Sequence, residues 1–366
     1  MKYLRHKLYG YLFSFFKVFT IKTNRISFII DSGESFKGNL DYIKNEFEGR
    51  GNFDFNFFYK DKLSFSSFKS LATSKYVFLN DNFFPLAFMN FKNETEVVQL
   101  WHAPGASKKF GGSVASDSDI EMLSKIGKNT DYLISSSKKI ENYYSEAFQI
   151  DKEKIIPLGL PRIDYYFENH DLNRIKSDFC KKYGIDFDKK IILYAPTFRD
   201  EKKYNNVFDF LDLKKFNDVL GEEYVLALRL HPKIKDFYQD DIESSENYVD
   251  CSDYPSEQEL MMISDILITD YSSIMIEFAI LDKPILFFVY DLDNYLNTER
   301  GFYYDFEKTV PGKIVYSSDE LINAIESNDF DKYKMSDFLK TQFDAIDGKS
   351  SERVVDFLLN NGGHYG

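Results

Sequence analysis

A chain of 366 residues with 43% hydrophobic and 29% charged residues fits a folded protein of two ordinary domains, and excludes a disordered chain. Its net charge of −13 argues against the broad basic face that nucleic-acid binding requires. The two cysteines, Cys180 and Cys251, lie far apart in sequence, which excludes a zinc-ligand spacing or a disulfide framework and fits a reducing compartment.

The chain begins against its own acidic balance. Residues 1–30 hold no Asp or Glu, while Lys2, Arg5, Lys7, Lys17, Lys22 and Arg25 are basic. Tyr3, Leu8, Tyr11, Leu12, Phe15, Phe16 and Phe19 are interleaved with them at helical spacing. An uninterrupted run of about 18 apolar residues, the length of a spanning helix, is missing. Residues 1–24 are therefore expected to form an interfacial helix on an anionic membrane surface, making the protein peripheral on the cytoplasmic face. The competing reading is an amphipathic helix packed on the protein itself.

After that segment, strand-like and helix-like stretches alternate. Apolar runs at 26–30, 53–59, 76–80, 97–102 and 132–134 predict strands, with helices at 39–48 and 138–148. Further runs at 190–195, 224–231, 266–269 and 284–288 predict strands, with helices at 209–220, 257–263 and 272–281. Such alternation predicts an α/β fold of doubly wound parallel sheets. The pattern breaks at 159–187, giving an N-terminal domain over 25–160 and a C-terminal domain over 161–366. A last helix at 351–359 is expected to pack back across the junction.

In open α/β sheets, ligands bind beyond the carboxyl ends of the strands. Four predicted strands end in polar groups: His102, Arg199, His231 and the run Thr269-Asp270-Tyr271-Ser272-Ser273. His102 is a candidate general base, since an imidazole accepts a hydroxyl proton near neutral pH. Arg199 offers a planar fork matched to phosphate oxygens, and His231 a donor to a phosphoryl oxygen. The hydroxyls of Thr269, Ser272 and Ser273, with free amides at a helix start, suit a diphosphate. Lys108 and Lys109, in a glycine-flanked loop expected to be flexible, are candidates for an anionic acceptor or lipid headgroup; Glu277 is a candidate for ribose hydroxyls. Each has a plainer reading: a buried histidine, an Arg199 ion pair to Asp200 or Glu201, simple N-capping, a solvated loop, a solvent-facing carboxylate. No dinucleotide fingerprint, phosphate loop or nucleophile elbow is present, and no metal site or cofactor is expected.

The ordered motifs carry a resemblance. Gln99-Leu100-Trp101-His102, Gly159-Leu160-Pro161-Arg162-Ile163-Asp164, Ala195-Pro196-Thr197-Phe198-Arg199-Asp200, Arg229-Leu230-His231-Pro232, Thr269-Asp270-Tyr271-Ser272-Ser273 and Arg300-Gly301-Phe302-Tyr303 resemble, in order, the CDP-glycerol glycerophosphotransferase family of teichoic-acid and capsule synthesis. The resemblance implies a GT-B architecture, two Rossmann-like domains around a cleft with the nucleotide on the C-terminal one. It implies that His102 deprotonates the acceptor, and that His231, Arg199, Thr269, Ser272 and Ser273 hold the donor diphosphate, with Arg300 on the phosphate side. The run Trp101-His102-Ala103-Pro104 is similar to the primase branch, which adds one glycerol phosphate from CDP-glycerol to an undecaprenyl-diphosphate-linked disaccharide and releases CMP. Other wall-polymer enzymes are then natural partners. A CDP-glycerol or CDP-ribitol polymerase, a GT-B sugar transferase and a non-catalytic scaffold of a wall-synthesis complex are the alternatives.

Overall fold

The computed structural model describes residues 3–33, 35–199, 201–230, 247–298 and 301–361. It divides into two units, one of residues 1–167 and 341–366, the other of 168–340. Residues 161–167 and 341–366 therefore belong to the first unit, not to the C-terminal domain to which the sequence assigned them. The cause is the helix Ser350–Asn361. Its Val354, Val355 and Leu358 are buried among Leu40, Ile43 and Phe47 of helix α2 (Asn39–Arg50) and the first sheet. Asp164 fixes its start by accepting from the amides of Ser350 and Ser351, both at 2.8 Å.

The first sheet holds β1 (Lys22–Ile30), β2 (Asp54–Tyr59), β3 (Ser74–Leu79), β4 (Glu96–Gln99), β5 (Tyr132–Ser135) and β6 (Ile155–Pro157). Their order is β2-β1-β3-β4-β5-β6, all neighbours parallel. Side chains alternate between two cores, as the strand period demands. Tyr76 and Phe78 of β3 face α2 and the C-terminal helix, while Val77 and Leu79 join the opposite core. In that opposite core lie Phe13 and Phe16 of helix α1 (Leu4–Phe16) and Phe68 and Leu71 of α3 (Phe65–Ala72). Helix α1 thus docks on this unit, and closely: a Cβ on Gly10 would stand 2.4 Å from the Phe88 carbonyl oxygen.

The second sheet holds β7 (Lys190–Ala195), β8 (Tyr224–Leu228), β9 (Tyr248–Asp250), β10 (Ile266–Thr269), β11 (Ile285–Phe288) and β12 (Lys313–Val315). Its order is β12-β11-β10-β7-β8-β9, again parallel throughout. The strand order reverses between β7 and β10 in this sheet, and between β1 and β3 in the first. Those are the switch points beyond whose carboxyl ends ligands bind. Among the described residues no helix is long and apolar enough to cross a membrane.

Candidate functional site

In the first unit the carboxyl ends of β3 and β4 build a platform for His102. Gln99 closes it from β4: its side-chain amide donates to the Asp81 carbonyl at 3.1 Å, and its Oε1 accepts the Trp101 amide at 2.9 Å. Asn39, at the start of α2, donates to the Trp101 carbonyl at 2.6 Å and to Asn80 Oδ1 at 3.0 Å, and accepts the Arg162 amide at 2.8 Å. Arg162 Nη1 in turn donates to the His102 carbonyl at 2.9 Å. These bonds hold Trp101 at φ +62°, a conformation that costs a bulky residue roughly 1–3 kcal/mol and persists only where its surroundings impose it. The Trp101 ring stacks on Phe110, centroids 5.2 Å apart, and meets Phe148 edge-on.

The His102 side chain is half exposed, and its Nδ1 lies 3.9 Å from Asp81 Oδ1. Its buried-histidine alternative does not hold. Desolvation is the largest influence on the imidazole and lowers its pKa; Asp81 and Asp31 oppose this, while Arg162 and Lys60 add to it, and the net shift is downward. The ring is therefore neutral, and able to accept a proton, at a lower pH than an ordinary histidine.

The loop after His102 is tied down by hydrogen bonds at several points. The Gly105 amide donates to Ser136 Oγ at 2.8 Å and the Ala106 amide to Gln342 Oε1 at 2.9 Å, while Tyr144 donates to the Gly105 carbonyl at 2.9 Å. Gly111 and Gly112 are small because the helix Glu141–Phe148 comes close: an added Cβ would stand 2.3 Å from the Ala147 oxygen or 2.4 Å from that of Glu146. Lys108 and Lys109 are accordingly half-buried residues of a pinned segment. The C-terminal Gln342, remote in sequence, is one of the pins.

In the second unit, Arg199 departs from expectation most. It is 1% exposed, which excludes both a surface ion pair and an open phosphate ligand. Its Nε and Nη2 donate to the two oxygens of Asp291 at 2.7 and 3.0 Å, and Nη1 donates to Asp270 Oδ2 at 2.8 Å and to the Thr197 carbonyl. Four of the five N–H donors of a guanidinium are thereby used within the unit. The guanidinium also lies over the rings of Tyr271, 4.8 Å away, and Tyr295, 5.3 Å away. Burial works against its charge, but the two carboxylates outweigh burial and raise its pKa further. Burial would likewise raise Asp270, yet Arg199 and the Thr197 amide hold it below the usual carboxylate range.

Thr269 is also fully buried, and its hydroxyl donates to the Ala195 carbonyl at 2.8 Å. It ties β10 to β7 and is not an open donor. Ser272 and Ser273 remain half-buried at the turn, and Ser273 makes no side-chain cap bond to the helix Ile274–Ala279. That helix has six residues, too few for a large dipole, so hydroxyls and amides carry any anion affinity here. Glu277 is 5% exposed, which excludes the solvent-facing reading. Thr197, which sequence reasoning passed over as a ligand, has a buried Oγ1 without a hydrogen-bond partner at the β7 end of this switch point. His231 and Arg300 lie outside the described residues.

Residues 11–360 match the model of the CDP-glycerol:poly(glycerophosphate) glycerophosphotransferase family. The chain belongs to that family. It is 35% identical to a teichoic acid poly(ribitol-phosphate) polymerase of Bacillus spizizenii over 97% of its own length and 59% of the relative's. It is 38% identical to a teichoic acid ribitol-phosphate primase of the same species, over 80% of this chain and 77% of that one. A variant of the wall teichoic acid polymerase TagF soaked with CDPG superposes with a TM-score of 0.78 at 25% identity, covering 99% of this chain and 96% of that one. The two Rossmann-like units thus constitute a GT-B-like fold. The chain spans less than two thirds of the polymerase's length.

Proposed function

We propose that this chain transfers glycerol phosphate from CDP-glycerol to a hydroxyl of an undecaprenyl-diphosphate-linked disaccharide, as a wall teichoic acid primase, and releases CMP. The observation that carries the proposal is His102: a half-exposed imidazole with a lowered pKa at a strand's carboxyl end, within a family-wide match. In this reading His102 takes the proton of the acceptor hydroxyl. The oxygen then forms a bond to the β-phosphorus, and the bridging bond to the α-phosphate breaks with its electron pair leaving on CMP. Ser272, Ser273 and Thr197 supply donors to the diphosphate, joined by His231 and Arg300 as their motifs imply, and Glu277 serves the ribose. Arg199 and Thr269 act beneath them. Fixed donors around a charge spread over phosphoryl oxygens provide most of the acceleration in such transfers. No metal is invoked.

A ribitol donor is the second reading, favoured by the names of the two relatives. Incubation with CDP-glycerol or CDP-ribitol and a lipid-disaccharide analogue, followed by mass spectrometry, separates the readings. One added glycerol phosphate supports the primase, and a ladder of units a polymerase. Release of a nucleoside diphosphate in place of CMP would instead mark a sugar transferase, and no turnover with either donor would favour a scaffold.

We also propose that α1 rests on the cytoplasmic face of an anionic membrane. With Phe13 and Phe16 turned inward, Leu4, Leu8, Tyr11 and Phe15 form an exposed stripe, Tyr11 at 77% and Phe15 at 65%, beside Arg5, Lys7 and Lys17. Leu8→Glu with Phe15→Glu is expected to weaken sedimentation with anionic vesicles about tenfold or more, since each lost apolar anchor is worth on the order of 1.5–3 kcal/mol. Unchanged sedimentation would leave the stripe without this role.

A further inference from the structure

We propose that Asp81 is a positioning residue for His102, and that the row of charges behind it, Asp31 and Lys60, sets the strength of its hold. The inference rests on the reading of His102 as the proton acceptor. It comes from sheet order. The strands β2, β1, β3 and β4 are successive neighbours, and just beyond their carboxyl ends stand Lys60, Asp31, Asp81 and His102, in that order. Lys60 Nζ lies 2.9 Å from Asp31 Oδ1 and 2.9 Å from Asp81 Oδ2, and Asp81 turns its other oxygen toward His102 Nδ1 at 3.9 Å.

One ammonium between two carboxylates leaves an excess negative charge, and the carboxylate nearer the imidazole presents it. At 3.9 Å the contact is an electrostatic one, and a movement of about 1 Å closes it to a hydrogen bond. A carboxylate facing Nδ1 favours the tautomer with the proton on that nitrogen. Nε2 then keeps its lone pair for the acceptor hydroxyl, and the imidazolium formed by proton transfer is stabilised by the same carboxylate. The backbone on either side is fixed. Gln99 bonds the Asp81 carbonyl, and the strained Trp101 immediately before His102 is held by Gln99 and Asn39. A strained residue next to a proton-accepting one is what a site shows when ring placement outweighs local comfort.

The charged groups facing the imidazole act in opposed directions: Asp81 and Asp31 favour the imidazolium, while Arg162 and Lys60 disfavour it. Opposed signs make the test sharp. In the full chain, Asp81→Asn should lower the pKa of the His102 ring, followed by NMR titration, and move the acid limb of the kcat profile to lower pH. It should also reduce plateau kcat about tenfold or more, with KM for CDP-glycerol within about twofold, because no donor contact is removed. Lys60→Met should move the ring's pKa and the acid limb the other way. If neither substitution moves the titration, or both move it in the same direction, Asp81 has no hold on His102 and the inference fails. If the titrations shift as expected while the rates ignore them, the hold is real and the assignment of His102 as base is what fails.

Discussion

His102→Ala is expected to lower turnover by about 10²–10⁴-fold, the usual worth of a positioned general base, while CDP-glycerol still binds. The half-exposed imidazole contributes little to the core, so the variant should fold; the side-chain bonds that shape its loop come from Gln99, Asn39 and Arg162. Donor affinity should persist because the donor groups assigned here lie in the other unit. The pH dependence gives an independent check. A base must be deprotonated, and partial desolvation has lowered this imidazole below its usual pKa. The wild-type rate should thus be retained as the pH falls past the ordinary histidine value of about 6.5 and drop only below it. Calorimetric titration of donor binding beside a CMP-release assay checks both parts. Turnover of His102→Ala at the wild-type rate would remove the base assignment.

Much of this site was legible because strand ends are legible. Runs such as Ile191 to Ala195 and Ile266 to Ile268 are buried on both faces, so they read as unbroken apolar stretches, and the polar residues that stop them stand out. The strands at 155–157, 248–250 and 313–315 escaped notice for the converse reason. Each is three residues long and lies at the edge of its sheet, where only one of the three side chains is buried. The helix Ser350–Asn361 was foreseen, but not that its unit would be the first one. That depends on Asp164, 186 residues before Ser350 in sequence, and on apolar packing against the still more distant α2, which no local pattern encodes. Asp81, Asp31 and Lys60 were missed because a carboxylate after a strand looks like any surface carboxylate until sheet order lines it up with a histidine. Arg199 was misjudged in the opposite sense. A motif shows that an arginine is there, but not whether its fork faces a ligand or two carboxylates supplied some 70 and 90 residues later.

Arg199→Met is expected to destabilise the protein by about 3–5 kcal/mol, the cost of removing one partner from a buried ion pair. The variant leaves Asp270 and Asp291 buried at 1% and 5% exposure with their cation gone. Hydrogen bonds from Thr197 and Tyr271 would still reach them, but amides and a phenol do not neutralise charge. Without the guanidinium, burial should push the Asp270 carboxyl upward in pKa. The deficit should then be largest near neutral pH and shrink as the pH falls, because the stranded Asp270 carboxylate takes up a proton that Arg199 had kept off. Urea unfolding of wild type and variant across pH 5–8 measures this directly. Arg199→Met combined with Asp291→Leu should recover part of the loss, since replacing a buried pair by apolar groups of similar volume is often nearly neutral. The same double variant separates support from contact. If Arg199 only holds together the loops after β7, β10 and β11, affinity for CDP-glycerol should return with stability. Should stability return while donor affinity stays lost, the guanidinium must leave its carboxylates to grip the diphosphate, and the role assigned to it here is wrong.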